Sequence, residues 1–429
     1  MTKIKPFKAL IYNQEKIKDI SFVVCPPYDV ISAERQEYFH QIDPYNFIRI
    51  LLGKDIAGED KYERAGNLFK DWRKDQIFVR DENPAIYFYS QQYNLKGEKK
   101  TRYGFMALLR LGDRKDGVFA HENTRTSAKE DRLKLLKQVK ANLSPIFVIF
   151  QDHKRIVPRI TDKYIKQEKP FIDIIDEEKT EHKLWRIVSP ELIATIQDSM
   201  ANENIFIADG HHRYEVACAY AEEMRQRLGQ LKGDEGFNYI LAYFTNVESR
   251  GLTVLPIHRL VRLEAKTGIQ EIIAGLKDDF SVEEAKDEEK FFFLLKKGGQ
   301  REHILGMYKE RKYWFLRLKN VKILDKLIDD KPRDYRLLDV SILNYLVLHK
   351  VLGLGIEDKE SVSFCPCVEE LIERVDADAD LIAFFLNPVK VAQVMSIALE
   401  GEKMPPKSTY FYPKVLSGLV INKFNEDKS

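Results

Sequence analysis

An apolar run becomes a long helical pattern at the Asp-Gly pair of residues 209–210. Residues 205–208 read Ile-Phe-Ile-Ala, and such a run ending in a turn signal predicts a buried strand. The segment that follows, HHRYEVACAYAEEMRQRL, places Tyr214, Ala217 and Tyr220 toward one face of a helix. The sequence therefore predicts a strand, a tight turn and a long helix in direct succession, with two histidines and an arginine in the first helical turn.

Strand and helix patterns follow one another along the rest of the chain, which predicts an α+β fold with a mixed-sheet core. AIYFYSQQY and RYGFMALLRL are two β-rich runs that NLKGEKKT joins as a hairpin. A chain of 429 residues with 44% hydrophobic content has room for two or three domains. We expect an N-terminal α+β region over 1–115 that contributes to the core, the core itself over 116–262, and a further α+β C-terminal domain over 263–429.

The balance of charges argues against nucleic acid and against an acidic membrane surface as partners. The 69 basic and 67 acidic residues nearly cancel. Apolar runs such as LIAFFL at 381–386 are far too short to cross a bilayer, and the start MTKIKPFKALIYNQEK lacks the apolar centre of a signal peptide. We therefore expect a cytoplasmic protein that acts on a small molecule. The sequence leaves its oligomeric state open, a homodimer included.

Four cysteines are too few for a disulfide scaffold in a chain of this length. Cys365-Pro366-Cys367 has the thiols for a metal site or a redox pair, but no second pair of ligands is evident in the sequence. We expect Cys365 and Cys367 to form a reduced, structural pair.

The first turn of the predicted helix combines residue types that bind phosphate. Helix N-termini carry N–H groups without intrahelical partners and a partial positive charge, so they attract anions. With Asp209 as the N-cap, Gly210 lets a ligand approach the backbone, and His211, His212 and Arg213 follow about 100 degrees apart. Arg213 offers a planar fork of donors, and a histidine donates a hydrogen bond or a proton near neutral pH. Since a carboxylate repels phosphate, Asp209 either caps the helix or holds a cation.

The same five residues also fit a purely structural interpretation. Asp209 then caps the helix, one histidine packs in the core, and Arg213 makes a surface ion pair. Zinc binding by both histidines is disfavoured, because adjacent helical positions diverge and the usual spacing on one face is i, i+4. Phosphate binding and the structural interpretation are therefore both open from these residues alone.

Further segments carry reactive side chains at the ends of predicted elements. CPPYDVI places a carboxylate after a strand and two chain-stiffening prolines. HENTRTSAKEDR leads into a helix, for which Ser127 and Glu130 fit a capping box, and MPPKSTYFYPK joins basic and hydroxyl side chains suited to an anion. LPIHRL ends a strand with a His-Arg pair. The first three segments also fit an ordinary turn, loop or helix start, and the His-Arg pair also fits a buried or surface structural pair. The candidates are Asp29, His121, Glu122, Thr124, Lys129, Asp131, Arg132, His258, Arg259, Lys407, Ser408, Thr409 and Lys414.

Ordered motifs run almost from end to end: KPFKAL, PPYDVIS, DPYNFIR, HENT with KEDRLKLL and ANLSPIF, ADGHHRYE, LPIHR, LDVSILN, and MPPKSTYFYPK with SGLV. Together they resemble a bacterial and archaeal family of conserved proteins of unknown function. ADGHHR also resembles the phosphate-binding turn of the ParB and sulfiredoxin superfamily, and free serine kinases on that fold carry a similar DGHHR segment. The resemblance implies a ParB/sulfiredoxin-like strand–turn–helix in the core.

Through the free serine kinases, the resemblance implies phosphoryl transfer to a small hydroxylated acceptor, with free L-serine giving O-phosphoserine. ATP, ADP and pyrophosphate are all candidate donors, since no Walker A pattern or GxGxxG loop marks an adenine pocket. Mg²⁺ is the expected cofactor, because phosphoryl transfer needs a divalent cation as well as donors around the transferred group.

The roles implied by the resemblance centre on the DGHHR segment. The phosphate ligands are Gly210, His211, His212 and Arg213, with Lys129, Arg132 and Lys407 as second-rank contacts to phosphate or substrate. Asp209 binds Mg²⁺ or positions a histidine. The base is Glu122 or Asp29, and His212 is a further catalytic group. The shorter kinases lack the long insertion between PPYDV and DGHHR, so their base cannot be mapped onto this chain.

Two other functions use the same phosphate site. A nucleotide-binding switch of the ParB type would bind without transfer, although the chain has no recognisable helix-turn-helix for DNA. A metal-dependent phosphohydrolase would bring Asp29, Glu122 and Asp209 together on metals and let water attack the phosphate. Phosphate release without an acceptor distinguishes this hydrolase from a kinase.

Overall fold

The chain forms two compact units in the computed structural model, which describes residues 2–112, 114–229, 233–264, 268–355 and 360–424. The first unit comprises Met1–Ala120, Thr124–Thr253 and Pro413–Ser429, and the second comprises His121–Asn123 and Val254–Tyr412. The chain thus divides shortly before the boundary expected at 262. Its last segment, expected in the C-terminal domain, belongs to the first unit, because Asn422–Lys423 pairs there as a strand with Ala141–Asn142.

A mixed sheet lies at the centre of the first unit and has nine strands in the described part of the chain. In sheet order, eight of them are Val118–Phe119, Ile205–Asp209, Ile146–Phe150, Tyr239–Asn246, Glu98–Arg110, Ile86–Leu95, Glu181–Ile187 and Ile172–Ile175, and the ninth, Ile4–Lys5, pairs with Glu98–Arg110. The strand Ile205–Asp209 is parallel to Val118–Phe119 and antiparallel to Ile146–Phe150. Mixed pairing of this kind, with helices between the strands, confirms the predicted α+β fold.

The predicted hairpin is present as the neighbouring strands Ile86–Leu95 and Glu98–Arg110. Its two-residue turn consists of Lys96 and Gly97, whose φ angles are 51° and 82°. Tight hairpin turns need positive φ at these positions because that geometry matches the twist of the strands. The β-rich runs and the glycine between them therefore specified this hairpin correctly.

Helices of the first unit bury apolar stripes in the core around this sheet. Tyr214, Ala217 and Tyr220, predicted on one helical face, are all buried in that core. The helix after HENTRT begins at Thr126 without a side-chain cap, so the predicted capping box of Ser127 and Glu130 is wrong.

The α-helices are Ala33–Ile42, Ile48–Leu51, Lys61–Lys74, Thr126–Val139, Ile156–Lys163, Pro190–Met200 and His211–Leu228. The 3₁₀ turns are Ile20–Phe22, Tyr28–Val30, Arg114–Asp116, Ile165–Gln167 and Gly236–Asn238, and a further strand pair joins Leu10–Tyr12 to Phe78–Arg80.

The second unit is built on an antiparallel sheet with six strands among the described residues. In sheet order they are Phe280–Ala285, Lys312–Leu318, Ile304–Lys309, Leu381–Phe385, His258–Arg262 and Val362–Cys365. Its helices are Ile269–Leu276, Glu288–Gly298, Lys322–Leu327, Arg333–Arg336, Asp339–Ile342, the π-helical Leu343–His349, Val368–Ala377 and Val391–Leu399. No helix in the described parts of either unit has both the length and the apolar composition that a membrane crossing needs.

Cys365 and Cys367 are free thiols. The Sγ of Cys365 lies 3.2 Å from a carboxylate oxygen of Glu370, and the Sγ of Cys367 lies 3.3 Å from one of Glu369. Burial raises the pKa of Cys365 to about 11. Its thiol is therefore protonated at neutral pH and is a poor nucleophile.

Candidate functional site

The DGHHR turn, Asp209–Arg213, connects a buried strand to a helix of 18 residues. The strand pairing is irregular between Ile207 and Asp209, which is where the chain leaves the regular ladder. The helix has Gly210 as its N-cap and no side chain capping it. The expectation that Asp209 is the N-cap is therefore wrong: it is the last residue of the strand, and its carboxylate has other partners.

Gly210 is the residue that lets Arg213 fold back over the turn. Its φ angle is 92°, in the left-handed region where a side chain is strained. A Cβ at this position would also lie 2.9 Å from Cγ2 of Ile146 and 3.0 Å from Cζ of Arg213. The space that a side chain would need is thus already filled by the Arg213 guanidinium.

Asp209 forms a buried charge cluster with Arg213 and Lys414. Arg213 Nη2 donates to Asp209 Oδ2 at 2.5 Å, and the Lys414 ammonium contacts Oδ1. The three side chains are only 10–12% exposed. Burial by itself would raise the pKa of Asp209, but the charges of Lys414 and Arg213 outweigh it and lower that pKa to about 2. The carboxylate is therefore ionised, and the cluster carries one net positive charge.

The Nε donor of Arg213 has no acceptor in this cluster. Its Nη1 donates to the backbone oxygen of Pro145, and Nη2 is bonded to Asp209. Its Nε is buried and has no hydrogen-bond partner among the described residues. A buried donor without an acceptor is costly, by about 1–3 kcal/mol, so this nitrogen favours an acceptor supplied from outside the chain.

Buried polar side chains hold the segment that carries Lys414. Gln91 Nε2 donates to the Lys414 carbonyl oxygen at 2.8 Å, and Arg102 Nη2 donates to that of Pro413 at 2.6 Å. Arg102 is fully buried, with its guanidinium 4.5 Å from the ring centre of Phe147. Sequence reasoning named Lys414 only as part of an anion-binding loop and missed Arg102, because a lone arginine in a β-rich run predicts an exposed position.

The CPPYDVI turn lies next to the charge cluster. The Tyr28 ring packs 4.3 Å from the Arg132 guanidinium, and Tyr28 and Arg213 line a common cavity of about 60 Å³. Burial and then the charge of Asp29 raise the pKa of Tyr28 to about 12, while the charges of Arg213 and Arg132 oppose this. Asp29 itself is exposed. The structure thus brings this predicted base into the same unit as the DGHHR turn.

The two histidines of the turn point to different surroundings, as adjacent helical positions must. His211 is buried, with 3% of its surface exposed. His212 Nε2 accepts a hydrogen bond from the backbone N–H of Arg125 at 2.9 Å. This nitrogen therefore holds no proton in this arrangement, and any proton that neutral His212 donates comes from Nδ1.

The two second-rank cations of the first unit have protein partners. Lys129 Nζ pairs with Glu215 at 3.1 Å. The Arg132 side chain is 8% exposed, pairs with Asp131, and donates to the backbone oxygen of Leu51 at 2.7 Å. Their phosphate-binding roles stay predictions, and Arg132 in particular is held in place by the fold.

Glu122 and Lys407 belong to the second unit. Glu122 Oε1 accepts from the Thr409 hydroxyl at 3.4 Å, and the buried His121 lies 3.5 Å from the same hydroxyl. The backbone oxygen of Lys407 accepts a hydrogen bond from Nη2 of the buried Arg259 at 3.1 Å. The motifs HENT, LPIHR and MPPKST therefore meet in one loop cluster of this unit.

Mg²⁺ does not fit Asp209 in this arrangement, because each carboxylate oxygen already contacts a cation. Among the described residues, no group of three or more histidine, cysteine, aspartate or glutamate side chains is placed to hold a metal ion. Divalent ions prefer several oxygen ligands at once. A metal role for Asp209 would require Lys414 or Arg213 to move away.

Residues 4–341 match the family described as "Protein of unknown function (DUF1015)". The chain belongs to this family. This DUF1015 protein has no match among curated proteins.

Several solved structures are similar to the DUF1015 chain at low identity. A free serine kinase variant in complex with ADP is 14% identical, with 72% of this chain and 91% of that chain covered and a TM-score of 0.34. A conserved hypothetical protein from Pyrococcus furiosus is 13% identical, with 72% and 92% covered and a TM-score of 0.32. C-terminally truncated SbnI from Staphylococcus aureus is 11% identical, with 73% and 86% covered and a TM-score of 0.36. Likeness at this level assigns no activity.

Proposed function

We propose that this protein is a phosphotransferase that binds a phosphate donor at the DGHHR turn and transfers a phosphoryl group to a hydroxyl of a small molecule. The observation that carries the proposal is the buried cluster of Asp209, Arg213 and Lys414 at the start of an 18-residue helix without a side-chain cap. The net positive charge of this cluster adds to the partial positive charge of the helix N-terminus. Both attract a phosphate group.

Arg213 and Lys414 are the groups that bind the phosphate oxygens in this proposal. Their burial strengthens electrostatic interactions, since fewer water molecules screen the charges. Asp209 fixes both cations before the donor arrives, so that they do not have to be ordered at the moment of transfer. Preorganised donors around the transferred phosphoryl group are the main source of catalysis in reactions of this class.

The transfer step needs a group that accepts the proton of the attacking hydroxyl. The acceptor oxygen forms a bond to the phosphorus as the bridging P–O bond of the donor breaks, and the proton passes to a carboxylate. Asp29 is our candidate base, because it is exposed and follows Tyr28, which shares a cavity with Arg213. Glu122 as the base stays a prediction from the sequence, as does the catalytic role of His212.

The candidate substrates come from the resemblance of the DGHHR segment to free serine kinases. We propose L-serine as the acceptor and ATP, ADP or pyrophosphate as the donor, supplied with Mg²⁺. The nearly balanced charge of the chain agrees with small-molecule substrates rather than nucleic acid. A cytoplasmic location is part of the same proposal.

Phosphorus NMR of the purified protein with Mg²⁺, L-serine and each donor in turn tests the proposal. We expect a new phosphomonoester signal that requires L-serine and disappears in Arg213→Ala. Arg227→Ala is the matched control, because it removes an exposed arginine from the other end of the same helix. Donor hydrolysis that is independent of L-serine would replace the kinase with a phosphohydrolase. Equal turnover in Arg213→Ala and Arg227→Ala would remove the DGHHR turn from the site.

A further inference from the structure

The second unit contains a cavity of about 150 Å³ that the proposed phosphotransferase does not use. It lies beside the turn after Glu288–Gly298 and at the starts of the helices Asp339–Ile342 and Val391–Leu399. The side chains that define its chemistry are Arg301, Glu302, His303, Asp339, Asn387 and Lys390. We call it the Asp339 cavity. Its carboxylate belongs to LDVSILN, a motif that has no role in the phosphoryl transfer proposed above.

A carboxylate is held in a fixed position in the Asp339 cavity. Asp339 Oδ2 accepts from the backbone N–H and from Nδ2 of Asn387, both at 3.2 Å. Asn387 is itself anchored, since Nδ2 also donates to the backbone oxygen of Ile304 at 3.0 Å. At Gly299 a Cβ would lie 2.3 Å from Cγ of Asn387, so a glycine there makes room for the anchor. The other oxygen, Oδ1, lies 3.7 Å from Nδ1 of His303.

Two cations of the Asp339 cavity are uncommitted. Neither Arg301 nor Lys390 makes an ion pair with any residue that the structure describes, although both line the cavity. Glu302, the other acidic side chain in the lining, is paired with Arg317. The cavity therefore presents one positioned carboxylate and two cations that have no carboxylate of their own.

We propose that the Asp339 cavity binds a small α-amino acid, whose ammonium group pairs with Asp339 and whose carboxylate pairs with Arg301 and Lys390. A simple anion would be repelled by Asp339, whereas a zwitterion satisfies both signs of charge. A divalent cation prefers several oxygen ligands at once, and the positive charges of Arg301 and Lys390 would repel it. The cavity of about 150 Å³ has room for several water molecules, and this size suits an amino acid with a small side chain.

Saturation-transfer NMR with L-alanine tests this site, because L-alanine has no hydroxyl group and cannot be the phosphoryl acceptor. Acetate and methylammonium are matched probes, each with a methyl group and one of the two charges. We expect L-alanine to bind saturably and each probe to bind at least tenfold more weakly. Equal binding of L-alanine and acetate would overturn the proposal, since it would remove the need for Asp339.

Variants assign the binding to the cavity. Asp339→Asn keeps an acceptor oxygen for Asn387 but removes the charge, and we expect it to weaken L-alanine binding at least tenfold. Arg301→Gln should also weaken L-alanine binding at least tenfold. The Arg301 side chain is exposed, so the substitution should leave the fold intact. Lys296→Gln, which removes a nearby cation outside the lining, should leave binding unchanged. Binding that survives in Arg301→Gln and is lost in Arg213→Ala would place the amino acid at the DGHHR turn and overturn the proposal.

Discussion

The ammonium group of Lys414 contacts the carboxylate of Asp209, although 205 positions separate the two residues in the sequence. Their side chains are 12% and 10% exposed, so the pair has little contact with solvent. Buried ion pairs are sensitive to the loss of one partner, because the remaining charge is left without compensation. The last segment of the chain is thus part of the charge cluster, and the proposed donor site depends on it.

Lys414→Met should destabilise the first unit by about 3 kcal/mol, the lower end of the range for breaking a buried pair, because Arg213 still compensates Asp209. Adding Asp209→Asn to the Lys414→Met variant should lower the free energy of unfolding by less than the same change does in the wild type. Urea unfolding in a Trp314→Phe background measures this, since the remaining tryptophans, Trp72 and Trp185, lie in the first unit. Strictly additive free energies would show that the two side chains do not interact.

The stability of the first unit should depend on the ionisation of Asp209. Folding lowers the pKa of this carboxyl from 3.8 to about 2, since the charges of Lys414 and Arg213 outweigh the effect of burial. The unfolded chain therefore binds the proton more readily, and the stabilisation is present above about pH 4 and lost as the pH falls through about 2. Between pH 5 and pH 2 the wild type should lose about 2 kcal/mol more than Asp209→Asn.

Unfolding free energies of the wild type and Asp209→Asn, measured by urea titration at several pH values between 2 and 5, check this difference. Other carboxyl groups titrate in both proteins, so only the gap between the two curves reports on Asp209. Parallel curves would mean that its pKa is the same in the folded and unfolded chain.

Gly210→Ala should be more damaging than Gly229→Ala, although both glycines flank the same helix with positive φ angles of 92° and 71°. Both changes strain the backbone, by about 1–3 kcal/mol each. At Gly229 an added Cβ would meet no atom within 4 Å, whereas at Gly210 it would press on Ile146 and Arg213. Overpacking at Gly210 adds about 1–3 kcal/mol to the destabilisation and displaces the Arg213 guanidinium.

Thermal unfolding and donor binding by calorimetry separate these two effects. Both variants should melt below the wild type, but only Gly210→Ala should also lose affinity for the phosphate donor. If Gly229→Ala lost as much affinity, general destabilisation rather than the position of Arg213 would explain the result.

Local features of this fold were predictable because the residues that specify them are neighbours in the sequence. The apolar run before Asp209 and the helical pattern after Gly210 correctly predicted a strand and a helix in succession. The hairpin of Ile86–Leu95 and Glu98–Arg110 was predictable for the same reason. In both cases the periodicity and the turn residues lie within about 25 positions, where pattern rules work best.

The partners of these features were not predictable, because they depend on contacts between distant segments. Nothing near Asp209 in the sequence indicates that Lys414 compensates its charge. An N-cap or metal-ligand role was therefore expected for Asp209, whereas the structure pairs its carboxylate with Arg213 and Lys414. The start of the helix at Thr126 rather than after Ser127 is a smaller case, since helix ends depend on tertiary contacts as well as on capping residues.

Arg102 should act as a positioning residue for Lys414. The Arg102 side chain is fully buried. Its Nη2 donates to the backbone oxygen of Pro413, and its guanidinium packs on the ring of Phe147. Arg102→Met keeps the aliphatic stem but removes the donor, so the segment that carries Lys414 should shift away from Asp209. We expect the KM for the phosphate donor to rise about tenfold, equivalent to about 1.4 kcal/mol, with a smaller change in kcat.

A carboxyl ¹³C NMR titration of Asp209 shows whether Arg102 acts through Lys414 or only through stability. If Lys414 moves away, the pKa of Asp209 must rise, because one of the two charges that lower it is lost. Arg186→Met is the matched control, since Arg186 also packs on an aromatic ring, that of Phe171, but is partly exposed. An unchanged pKa of Asp209 in Arg102→Met would leave Arg102 with a structural role alone. Partial recovery in Arg102→Lys, which keeps a donor, would support positioning.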